Sequence, residues 1–118
     1  METYNVTKQL CDKPIAPVLW DFDSVREHWD QLWLRSWITV DGARTLYQKG
    51  PVTTMLPPED LIARCSAELN DGSAMFCGTL AARGGIRTAD RFDFEIEDPK
   101  RGVAIRHGSQ VTRLPVAG

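Results

Sequence analysis

Residues 91–97 read RFDFEIE, and that strict alternation constrains the fold more than any other stretch of the chain. Successive side chains of a strand point to opposite faces of a sheet, so Phe92, Phe94 and Ile96 share one face and Asp93, Glu95 and Glu97 the other. A sheet with one apolar and one wet face is the usual form of an antiparallel sheet. DPKRG at 98–102 then supplies a turn, and VAIRHGSQVTRL at 103–114 the returning strand, in which Val103 and Ile105 alternate with Ala104 and Arg106. Upstream, SAMFCGTLAA at 73–82 and IRTADRFDFEIED at 86–98 read as strands on either side of an RGG turn. Together these segments predict a C-terminal antiparallel meander.

A second hairpin is written earlier. Residues 37–40 are aromatic and β-branched, Asp41-Gly42 is a favoured type I′ turn, and ARTLYQ at 43–48 can return antiparallel until Gly50-Pro51 ends it. TYNV at 3–6 reads as a short edge strand.

Two helices are expected around this hairpin. Ser24 followed by Glu27 forms a capping box, and Asp21 and Asp23 suit the positive end of a helix dipole, which predicts helix one over residues 25–36. Pro58, Glu59 and Asp60 open helix two; Leu61, Ile62, Cys65 and Leu69 give it an apolar face, and NDG at 70–72 stops it. The reading is an α+β domain: two helices packed on a mainly antiparallel sheet of about five or six short strands. At 118 residues one domain is expected over 1–118, with flexible flanks at 1–17 and 115–118.

Hydrophobic residues make up 42% and charged residues 25%, which excludes a disordered or fibrous class. Net charge is −2, divided as 7 Lys+Arg against 11 Asp+Glu in residues 1–80 and 7 against 5 in 81–118. That is a weaker basic field than nucleic-acid binders carry. Cys11, Cys65 and Cys77 form no CxxC pair, and only His28 and His107 could join them, so no metal and no other cofactor is expected. METYNVTKQLCDKP lacks a basic start followed by an apolar core, and no apolar run approaches the roughly 20 residues that span a bilayer. A reduced, cytoplasmic setting is the expectation, with no membrane partner.

VLWDFDSV at 18–25 resembles the first motif of the haloacid dehalogenase-like phosphohydrolases, an apolar strand ending in Asp-x-Asp. The resemblance implies a parallel doubly wound sheet, with Asp21 as the nucleophile on phosphorus, Asp23 as the general acid/base, and magnesium neutralising the phosphate. The same two aspartates also read as the acidic entrance to helix one, and the antiparallel signals downstream favour that second reading.

Trp29, Trp33 and Trp37 are spaced i, i+4, i+8, which on a helix places them within about 80° of one face. That face is expected to pack on the sheet, leaving Trp20 or Trp37, near the helix ends, as a candidate contact for a partner. Asp93, Glu95 and Glu97 offer an acidic edge, while Arg101 and Arg106 belong to a basic set with Arg83, Arg87, Arg91, Lys100 and Arg113. No catalytic motif beyond the aspartate pair is present. The expected role is therefore that of a small non-enzymatic protein that binds another protein or protein complex, and in size and mild acidity it resembles phage and mobile-element inhibitors of host defence complexes, anti-CRISPR proteins among them. The alternatives are a nucleic-acid-binding accessory protein that uses the C-terminal arginines, and a magnesium-dependent phosphohydrolase at Asp21 and Asp23.

Overall fold

The computed structural model describes residues 14–66, 68–75 and 77–112. They build a mixed α+β fold around one antiparallel sheet of four strands, β1 (Trp33–Val40), β2 (Ala43–Pro51), β3 (Arg91–Asp98) and β4 (Val103–Gln110), in the order β2-β1-β3-β4. Two hairpins are thus joined side by side through β1 and β3, which run antiparallel from Trp33↔Glu97 to Thr39↔Arg91. The TYNV segment lies outside the described residues.

The predicted first helix is corrected. Residues Phe22–Ser24 and Arg26–Gln31 form two short 3-10 turns, and the chain then extends into β1 at Trp33. The i, i+4 spacing of Trp33 and Trp37 fits a helix face and also fits one face of a strand, because four is a multiple of the strand period. Leu34, Ser36 and Ile38 alternate with Trp33, Arg35 and Trp37, and pairing with β2 and β3 on both sides settles the ambiguity. The expected Ser24 cap is replaced by Asp21, whose Oδ1 accepts from Asp23 N–H at 3.4 Å, while Ser24 Oγ donates back to Asp21 O at 2.6 Å.

The hairpin at Asp41-Gly42 forms as predicted, with φ of 49° and 79° at the two turn residues, the left-handed pair a type I′ turn requires. The predicted second helix forms as α1 (Pro58–Arg64) and stops at Cys65, short of the NDG signal. No residue of α1 is buried, so the expectation that it packs on the sheet is corrected as well.

The strand predicted over 73–82 is absent among its described residues. Gly78 at φ 108° breaks the extended run, and the segment is held to the margin of β2 by individual bonds: Gln48 Nε2 donates to Thr79 Oγ1 at 2.8 Å and Leu80 O at 2.6 Å, and Arg83 N–H to Tyr47 O at 2.7 Å. The described residues therefore hold four strands and one α-helix in place of five or six and two, and the meander is reduced to the β3–β4 hairpin.

The core lies at one end of the sheet. Val25, Leu32 and Val52 are buried together, with Trp20, Phe22, Trp29, Leu34, Met55 and Ile96 packed around them. Leu32 O accepts from Val52 N–H at 3.0 Å, which ties the entrance of β1 to the exit of β2.

Candidate interaction surface

The register assigns each sheet residue to a face. Leu34, Ile38, Phe92, Phe94, Ile96 and Ile105 share one face; Trp33, Arg35, Trp37, Asp93, Glu95, Glu97 and Arg106 share the other. The alternation predicted from RFDFEIE is therefore the alternation observed.

On the charged face the carboxylates of β3 are bound by arginines. Glu95 is nearly buried, its Oε1 accepting from Arg35 Nη1 at 3.0 Å and its Oε2 from Arg106 Nε at 2.8 Å, while the same Arg35 nitrogen donates to Glu97 at 3.0 Å. Burial opposes the charged form of Arg35, yet these bonds to Glu97 and Glu95 outweigh it and raise its pKa above the ordinary arginine value. Arg91 pairs with Asp93 at 3.0 Å, and the Arg44 guanidinium lies 4.7 Å from the centre of the Trp37 ring.

Arg101 and Trp20, also predicted as partner contacts, stand elsewhere. Arg101 sits in the β3–β4 turn, its guanidinium 4.9 Å from the Trp20 ring centre and its Nε 2.5 Å from Asp98 Oδ2. Asp98 Oδ1 accepts the N–H groups of Lys100 and Arg101 at 3.1 and 3.2 Å, and His28 Nε2 reaches Oδ2 at 2.7 Å. An ionised carboxylate only accepts, so Nε2 is the protonated nitrogen of His28. Burial would raise the Asp98 pKa, but the bonds from His28 and Arg101 prevail and hold it at about 2. Sequence reasoning missed this knot, because its two buried members are 70 residues apart. The one local signal was an aspartate opening the turn sequence DPKRG, where its side chain can bond the following backbone.

Asp21 and Asp23 lie on the first 3-10 turn, both exposed, Asp23 paired with Arg26 at 3.3 Å. The parallel sheet implied by the phosphohydrolase resemblance is not the one present: all three strand pairings are antiparallel. Cys65 and Cys77 are free and half-buried, Cys11 and Arg113 lie outside the described residues, and no group of three or more His, Cys, Asp or Glu among the described residues is placed to hold a metal ion. No described helix is long and apolar enough to cross a membrane.

The apolar face is the less satisfied of the two. A groove of about 390 Å³ runs over it, floored by Leu34, Phe92, Phe94, Ile96 and Ile105 and walled by Leu80 and the segment carrying Val18 and Leu19. Val18 is 57% exposed and Leu19 78%, unusual values for large aliphatic side chains lining a groove. Every described buried side-chain polar atom has a hydrogen-bond partner, so the groove offers apolar surface and no unpaired acid or base.

No curated protein and no solved structure matches the chain. A family model does match, over residues 1–109, and the chain therefore belongs to the family described as "Protein of unknown function (DUF2848)".

Proposed function

We propose that the protein acts by binding another protein, which covers the apolar face of its sheet. The observation that carries this reading is the open groove over Leu34, Phe94, Ile96 and Ile105, with Val18 and Leu19 exposed on its wall. A sheet with an apolar face is stable when a second layer buries that face. Here the described chain lays only a thin wall along it. The charged face offers a partner less apolar surface, since Arg35, Arg91 and Arg106 and the carboxylates of Asp93, Glu95 and Glu97 are engaged with one another.

Inhibition of a host defence complex is a narrower form of the same role, supported by size and mild acidity alone. Of the arginines the nucleic-acid alternative would use, Arg91, Arg101 and Arg106 each hold a carboxylate of the chain itself, which weakens that reading. Catalysis at Asp21 and Asp23 draws none from a pair of exposed turn residues.

The test compares the full chain with a Val18→Asp/Leu19→Asp variant as bait for extracts. A protein retained by the first and lost by the second is purified and titrated by calorimetry at several temperatures. Burial of the groove gives a negative heat-capacity change and an affinity at least about ten-fold weaker for the variant. A partner that binds both forms equally, or binds with no heat-capacity change, overturns the reading.

A further inference from the structure

Among the described residues β4 ends the sheet, and one bond shows which way its backbone groups point. Val111 N–H donates to Asp90 O at 2.9 Å, immediately beyond a β3–β4 register that runs without a bulge from Asp98↔Val103 to Arg91↔Gln110. Hydrogen-bonded and non-bonded pairs alternate along an antiparallel ladder. Val103, Ile105, His107 and Ser109 therefore bond to β3, and Ala104, Arg106, Gly108 and Gln110 turn their N–H and C=O groups away from the sheet.

No described residue hydrogen-bonds to those outward groups. The opposite edge differs, because Arg83 N–H occupies Tyr47 O at the bulge in β2 and Gln48 holds the same segment alongside. Natural edge strands are blunted by charged side chains, proline or a bulge; β4 has no proline and no bulge, and its one charged side chain is Arg106.

The side chains along this edge are complementary to themselves. On the charged face Gly108 stands across from Asp93, and a side chain at 108 would collide with the Asp93 carboxylate and the Arg91 guanidinium, which lie over the glycine. Gly108 is thus a notch through which Asp93 reaches toward the free edge. Arg106 is the next residue on the same face of β4. A two-fold axis at His107 sets Arg106 of each copy against Gly108 of the other, where its exposed guanidinium, bonded to Glu95 through Nε alone, lies in line to join Arg91 on the other copy's Asp93. The axis also sets Ala104 against Gln110, so all four outward-facing residues find partners. Moving it back by one residue would place Arg106 against Arg106; moving it forward would draw both guanidinium groups away from Asp93.

We propose that the protein forms a symmetric dimer by pairing β4 with β4 of a second copy about an axis at His107, making one continuous eight-stranded sheet. The contact is isologous: each copy gives an arginine and receives one at its glycine notch. With the β2 edge engaged at Tyr47, the pairing closes at two copies. The groove shares Ile105 alone with this contact, and the two proposals are tested separately, by self-association here and by capture of a different protein there.

Sedimentation of the full chain over a range of concentrations gives a monomer–dimer equilibrium. Gln110→Pro removes an outward N–H, which a strand edge tolerates, and weakens the dimer by on the order of ten-fold or more without changing the far-ultraviolet circular dichroism. The register is read with cysteines. His107 faces His107 as a non-bonded pair with Cα atoms about 4.5 Å apart, within disulfide reach, so His107→Cys yields a covalent dimer on mild oxidation. Ser109→Cys, which faces Ile105, yields no more than the parent chain with its three cysteines. A monomer at all concentrations overturns the proposal. A dimer that ignores Gln110→Pro, or a His107→Cys chain that links no better than Ser109→Cys, overturns it equally.

Discussion

His28 Nε2 lies 2.7 Å from Asp98 Oδ2, and both side chains are buried, so the first 3-10 turns are fastened to the β3–β4 hairpin through a single carboxylate. Four donors converge on that carboxylate: His28, the Arg101 side chain, and the N–H groups of Lys100 and Arg101. Asparagine keeps one oxygen for the two backbone N–H groups but sets its NH2 against the donors of His28 and Arg101. Asp98→Asn is expected to lower the thermal midpoint far more than Glu97→Gln, whose carboxylate is partly solvated and has one arginine partner.

The same knot sets an acid limit. The folded-state pKa of Asp98, about 2, lies below its unfolded value of roughly 3.9, so the folded protein binds that proton less readily. The stability this confers is complete above about pH 4 and is lost as pH falls toward 2. Urea midpoints of the parent and Asp98→Asn, measured from pH 6 down to about 2, should converge across that window. A gap that stays constant through it would show that Asp98 contributes through shape and not charge.

Leu32 is fully buried between Val25 and Val52, whereas Ile62 on α1 is 53% exposed. Leu32→Ala removes methyl groups that no neighbour can replace and should cost about 2–5 kcal/mol of unfolding free energy. Ile62→Ala should change it by less than about 0.5 kcal/mol. Denaturant titration of the two variants measures both, and it checks that α1 adds little to the core.

Stretches whose pattern admits one period were legible in the sequence. RFDFEIE, VAIRHGSQ and the Asp41-Gly42 hairpin became strands and turn where expected, because alternation and positive-φ chemistry have no helical counterpart. Residues 25–36 were not legible. A capping-box spacing and tryptophans four apart satisfy both periods, and only pairing of Trp33–Val40 with two neighbouring strands decides between them. Of the predicted contact residues, Trp37, Asp93, Glu95, Glu97 and Arg106 meet on one face, as strand alternation implies once β1 is known. Trp20 and Arg101 meet each other instead, through a contact 81 residues long that no local pattern encodes.

Gly42 has φ 79° with no atom near enough to obstruct a side chain, so its requirement is conformational and not steric. Gly42→Ala should cost about 1–2 kcal/mol, the penalty of holding a β-carbon in the left-handed region. Asp41→Gly relaxes the neighbouring position and should be close to neutral, apart from the turn's bond from Asp41 N–H to Asp90 Oδ2 at 3.0 Å, which it preserves. Comparison of the two by chemical denaturation separates turn geometry from packing.

Gln48 joins three pieces of chain with one amide. Its Oε1 accepts from the buried Ser36 hydroxyl at 2.7 Å, and its Nε2 donates to Thr79 and to Leu80 O, which holds the 79–83 segment beside β2. Gln48→Leu leaves the Ser36 hydroxyl without that acceptor, at a cost of about 1–3 kcal/mol, and unhooks the segment. Adding Ser36→Ala to Gln48→Leu removes the stranded hydroxyl, so the double variant should recover part of the loss and be clearly less destabilised than the sum of the singles. Hydrogen exchange distinguishes the two effects: the Arg83 amide, bonded to Tyr47 O, should exchange faster in both variants that lack Gln48 and stay protected in Ser36→Ala alone. Protection of Arg83 in all three would mean that the Arg83–Tyr47 bond holds the segment without help from Gln48.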